Sequence, residues 1–174
     1  MLRKLSLLAA SALLAGSPAV AVAEGGPSDA EIAHIAYTAG QIDIAAARQA
    51  LAKSSNAEVR GFAETMMRDH QAVEDKALAL VKKLGVTPTD NATSIALAKQ
   101  ARETHAKLGE LKGADFDRAY VDNEVAFHRT VNGALQSTLI PSADNGELKS
   151  LLQTGASLFG EHQVHAEHLA ASMK

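Results

Sequence analysis

After residue 26 the chain contains only three prolines, Pro27, Pro88 and Pro141, and each stands where a helix-spaced run of apolar residues begins or ends. A proline inside a helix removes a hydrogen bond and clashes with the preceding turn. The stretches between these positions are therefore free to be long helices. They are rich in Ala, Leu, Glu, Lys and Gln, which are good helix formers. Ser28, with Glu31 three residues on, is the pattern of a capping box, so a first helix runs from Ser28 to about Lys53. The segment "SSNAE" ends it and caps a second helix, about Asn56 to Leu84. Gly85 then suits the left-handed residue that closes a helix. Asn91 or Thr93 opens a third, less amphipathic helix that ends near Gly113. "GADFD" starts a fourth, running to about Leu139; "IPSADNG" reads as a loop, and the last helix spans about Glu147 to Met173. No segment alternates as a strand does. The expected fold class is all-α: a four-helix bundle of two helical hairpins joined by a helical crossover.

The first residues follow a different rule. Arg3 and Lys4 precede an apolar run, Leu5 to Leu14, and Ala21-Val22-Ala23 has the small-residue spacing of a cleavage site. The run is short for a bilayer span. Residues 1–23 are expected to be a signal peptide cut after Ala23, leaving residues 24–174 as one helical domain in the periplasm or secreted. The chain has no Cys, so disulfides, thiolate ligands and lipid attachment at a leader cysteine are all excluded. Without Arg3 and Lys4, fifteen basic residues face twenty acidic ones. That balance, with two Tyr, four Phe and no basic patch, argues against nucleic acid. No apolar run in the mature chain is long enough to cross a membrane, and nothing in it identifies a protein partner.

Stepping about 100° per residue around each helix shows which side chains point inward. The first helix has the stripe Ile32, Ile35, Ala36, Ala39, Ile42, Ala46 and Ala50, with Asp43 in its middle. The second has Val59, Phe62, Met66, Val73, Ala77, Leu80 and Leu84, with His70 central and Glu74 about 40° from it. The fourth has Phe116, Tyr120, Phe127, Val131, Ala134 and Leu135, with Glu124 inside and His128 at the edge. The last has Leu148, Leu152, Gly155, Phe159, Ala166 and Met173, with His162 inside. An unpaired buried charge costs several kcal/mol. Ionisable groups from four helices must therefore meet one another, meet a ligand or reach water.

Three readings stay open at this point. The set Asp43, His70, Glu74, Glu124, His128 and His162 offers carboxylate oxygen and imidazole nitrogen, which suit one divalent metal: Zn, Fe, Mn or Cu. The same residues can form a purely structural hydrogen-bonded network in a non-catalytic envelope stress or interaction module. The helices can also leave a small-molecule or peptide cleft. A second cluster, Glu161, His165 and His168, lies on the outward face of the last helix and reads as solvated surface. There is no phosphate loop, no G-x-S-x-G elbow and no H-E-x-x-H, so no enzyme activity is indicated.

"VRGFAETMMRDH", "FDRAYVDNEVAFH" and "EHQVHAEHL" resemble the bacterial exported, ferritin-like family known as domain of unknown function 4142. The matching positions are Asp43 in the first helix; Phe62, Ala63, Met66, Asp69 and His70; Phe116, Asp117, Tyr120 and His128; and His162. The resemblance covers nearly all of the mature chain and implies a ferritin-like fold without an assigned activity. The outer-membrane label that many members carry implies no barrel in a sequence this helical. Di-iron carboxylate bundles use Glu-x-x-His on two helices. Here the only such pair, Glu31 and His34, turns away from the stripe, so an oxygen-activating di-iron centre is not expected.

Overall fold

A computed structural model describes residues 26–173; the signal peptide expected over residues 1–23, with cleavage after Ala23, lies outside the described residues. Helix α1 spans Asp29–Lys53, α2 Ala57–Leu84, α3 Ala92–Glu110 and α4 Gly113–Ala134. A wide π turn, Leu135–Leu139, leads into the short α5, Ile140–Ser142, and α6 spans Gly146–Ser172. Helices α1 and α2 pack as one hairpin and α4 and α6 as the other, with α3 crossing over α1 to connect them. The molecule is an all-α, ferritin-like four-helix bundle. Among the described residues, no helix is long and apolar enough to cross a membrane.

Local chemistry sets the helix ends. The Ser28 hydroxyl accepts from the Glu31 amide while the Glu31 carboxylate accepts from the Ser28 amide at 3.0 Å. Asn56 accepts from the amides of Glu58 and Val59. Gly85 adopts a left-handed φ of 65°, which lets the Val86 amide donate back to the Val81 carbonyl. Asn91, rather than Thr93, caps α3, and Ser94 returns the bond.

Two expectations need correction. The third helix stops at Glu110, short of Gly113. "IPSADNG" is not loop throughout, because helix continues to Ser142. In regular α geometry the Pro141 ring would meet the carbonyl four residues back, at Ser137. The π turn just before it widens the helix by one residue, the Ile140 amide donates to the Leu135 carbonyl, and the chain passes the proline without breaking.

The core is in two parts. One cluster holds Val59, Phe62, Met66, Phe116, Tyr120 and Ala166; the other holds Ile32, Ile35, Leu135, Leu139, Leu148 and Leu152. On α1, α4 and α6 the residues between these clusters are Asp43, Glu124, His128 and His162. A polar layer thus separates two apolar ones. In α1 the buried apolar positions at this level are Ile44 and Ala47, while Ile42 and Ala46 are only half-buried.

Candidate metal centre

Four helices deliver the polar layer: α1 brings Asp43, α2 His70, α4 Glu124 and His128, and α6 His162. Each of these five residues is at most 3% exposed. The imidazoles form a triangle, with ring centroids 5.7 Å apart for His70 and His128, 5.3 Å for His70 and His162, and 5.7 Å for His128 and His162. One ligand atom from each of the three lies within 4.8 Å of the others. Asp43, Glu124 and His128 make a second group with the same closeness, so His128 belongs to both. The Asp43 carboxylate is 3.5 Å from His70 Nε2.

Two of the three rings have an assignable tautomer. His128 Nδ1 lies 3.0 Å from the Glu124 carbonyl oxygen. A carbonyl only accepts, so Nδ1 carries the proton and Nε2 keeps its lone pair. His162 Nε2 lies 3.0 Å from an Asp69 carboxylate oxygen and donates to it, which leaves Nδ1 free. The nitrogens freed in this way, His128 Nε2 and His162 Nδ1, are buried without a hydrogen-bond partner, as are both nitrogens of His70. The Glu124 carboxyl faces that of Asp43, and the two share a hydrogen bond when one of them holds a proton. Phe159 lies flat on the His70 ring, 4.5 Å between centroids and 3° from parallel, and fixes its orientation.

Burial governs the charge state. It pulls His70 down to about 3 and His128 down to about 4, and lowers His162 against the opposing pull of Asp69. It pushes Glu124 up to about 8, and raises Asp43 well above the usual carboxylate range, with the Glu124 charge adding to the effect. Near neutral pH the metal-free layer therefore carries neutral imidazoles and a protonated Glu124, and burial shifts Asp43 toward its protonated form as well. Burial also pushes Asp69 up, but hydrogen bonds from Arg68 and His162 outweigh it, and Asp69 ends below its ordinary value as an anion.

Of the expected site residues, Asp43, His70, Glu124, His128 and His162 are brought together. Glu74 is buried but belongs to neither close group; it accepts from Gln41 and Gln71. Asp69 stands against His162 and was not among the expected ligands. His165 and His168 lie on the exposed face, where His165 meets the Phe62 ring edge-on at 5.1 Å. His34 pairs with Asp90 at 3.1 Å, away from the layer.

Residues 15–169 match the family model described as "Domain of unknown function (DUF4142)". No curated protein matches. The fold is similar to the crystal structure of a "putative secreted protein DUF305 from Streptomyces coelicolor", with a TM-score of 0.70 and 13% sequence identity, over 82% of this chain and 91% of that one. At that identity the likeness concerns the fold alone.

Proposed function

This chain belongs to the DUF4142 family of unknown function, and we propose that it is an exported metal-binding protein that holds one divalent transition-metal ion between its long helices. The observation that carries this reading is the set of unpartnered ring nitrogens. Three imidazoles on three helices expose lone pairs in one dry place, and two of them are anchored through the other nitrogen to an oxygen acceptor. That anchoring is the usual outer-shell arrangement of metal-bound histidine. A self-sufficient structural network would pair these atoms instead, because orphaned buried polar groups are costly.

His70, His128 and His162 would hold the ion, and Asp43, close to His70, would add an oxygen. Glu124 supplies a second carboxyl to the layer, and Glu74 lies at its edge. Imidazole donors favour zinc or copper over manganese. Iron remains within the donor set's range. When bound, the ion supplies positive charge to a layer that otherwise stays neutral by holding protons. The role is binding and not catalysis. Export is supported by the leader pattern and by the secreted description of the similar Streptomyces protein. The mature domain then begins at Glu24, after Ala23.

Calorimetric titration of metal-stripped mature protein tests the reading. Zinc or copper should bind saturably with Kd below about 10⁻⁵ M. His128→Ala, which removes the residue common to both groups, should abolish the binding. Absence of saturable binding in the unmodified protein overturns the proposal.

A further inference from the structure

Next to the imidazole layer, α1, α2, α3, α4, the π turn and α6 surround a cavity of about 450 Å³. Small-molecule sites span roughly 300 to 1,000 Å³. Its walls include Ile35, Val73, Val131, Leu135, Leu152 and Phe159. Its polar lining includes the buried residues Asp43, His70 and Glu74, and both ring nitrogens of His70 lack a partner. Glu31 lines it as well, whereas no lysine or arginine does.

Gly40 also lines this cavity, from the interior of α1. Glycine there weakens a helix relative to alanine. Nothing in the packing requires it, because a Cβ at Gly40 would meet no atom within 4 Å. The backbone does not require it either: among the described residues, positive φ occurs only at Gly85 and Gly113. The effect of Gly40 is to leave the space beside it open.

We propose that this cavity binds a small apolar molecule of about 15 non-hydrogen atoms, at roughly 30 Å³ each, whose head group is an amine or an alcohol donating to His70 and the neighbouring carboxyls. The apolar walls provide affinity by burial. In the metal-free protein the lone pair of His70 and the oxygens of Asp43, Glu74 and Glu31 accept hydrogen bonds, so a head group at His70 and an ion held by His70 exclude one another. A carboxylate head finds no lysine or arginine in the lining and faces the carboxyl groups of Glu31 and Glu74, so fatty acids are disfavoured. This proposal does not depend on the metal-binding reading.

The test uses metal-stripped mature protein and the dye N-phenylnaphthylamine, which fluoresces in apolar surroundings. Binding should be saturable with Kd below about 10⁻⁴ M. Decylamine and decanol, below their micellar concentrations, should displace the dye at about tenfold lower concentration than decanoate. Gly40→Leu fills the space and should weaken dye binding at least about tenfold, with an unchanged or raised Tm and unchanged zinc titration. Should Gly40→Leu fail to fold, Ala77→Leu on the α2 wall is read in the same way. Absence of saturable dye binding overturns the proposal. Equal displacement by decanoate overturns the head-group assignment, and full binding in the filled variants overturns the location. Failure of zinc to bind leaves the dye and Tm readouts unaffected and bears only on the metal site.

Discussion

At the scale of single residues, Asp69 decides how well His162 can serve as a ligand. Its carboxylate fixes the proton on Nε2 and turns Nδ1 inward. Its pair with Arg68, at 2.8 Å, is largely exposed on the arginine side and contributes little stability. Asp69→Asn, which keeps an oxygen acceptor for the His162 Nε2 proton but removes the charge, should therefore weaken zinc binding by about 10- to 100-fold, the usual effect of altering an outer-shell partner, while the Tm changes little. Equal loss of Tm and of metal would mean that Asp69 acts through the fold. Asp43, His70, Glu124 and His162 were legible in the sequence because each interrupts an apolar stripe. Asp69 was not, because it sits about 100° around α2 from His70 and off that stripe. Its adjacency to His70 became informative only with α6 packed beside it. Glu74 shows the opposite failure: it shares the inward face of α2, yet its partners are Gln41 and Gln71. Helical periodicity gives the face a side chain occupies but not the neighbour it meets.

At the scale of helices, the two hairpins are tied at one end by Asp29. Its carboxylate accepts from the backbone amides of Asp144 and Asn145, 3.0 Å each, in the connection before α6. Asn145 in turn caps α6 through the amides of Glu147 and Leu148. Asp29→Ala removes two charge-assisted bonds from a partly exposed site and should cost about 1–2 kcal/mol. That corresponds to a Tm lower by roughly 2–8 °C in a domain of this size, measured by circular dichroism. A shift under one degree would show that water replaces the carboxylate without loss. The caps at Ser28, Asn56 and Asn91 could be read from the sequence because capping chemistry is local. The passage through Pro141 could not. A proline reads as a break unless the preceding turn is known to widen, and that turn is set by Leu135 and Leu139 packing into the apolar cluster at that end of the bundle.

At the scale of the whole molecule, the polar layer links stability to pH and to metal. In the unfolded chain carboxylates release protons near pH 4, and histidines near pH 6.5. Folded Glu124 keeps its proton up to about 8, and Asp43 is likewise held protonated above its ordinary range. Across that window the folded state binds more protons than the unfolded state, so these two groups lower stability as pH rises. His70, at about 3, and His128, at about 4, act in the opposite sense, as does His162. Between their folded and unfolded values the unfolded state binds more protons, so stability rises with pH until about 6.5 and gains nothing more from them above it. The histidine contributions end near pH 6.5 while that of Glu124 runs on to about 8, so the metal-free protein should lose stability between these values, by at most roughly 1.4 kcal/mol per pH unit from Glu124, with Asp43 acting in the same direction. A bound cation reverses the decline, because it favours the ionised acids and competes with protons for the imidazoles. Thermal melts between pH 5.5 and 8.5, with and without saturating zinc, should show a metal-induced Tm gain that grows with pH, on the order of several degrees by pH 8. A metal-free Tm that keeps rising above pH 7, or a zinc gain independent of pH, would mean that the acids of the layer are already ionised in the folded chain and satisfied by some other group.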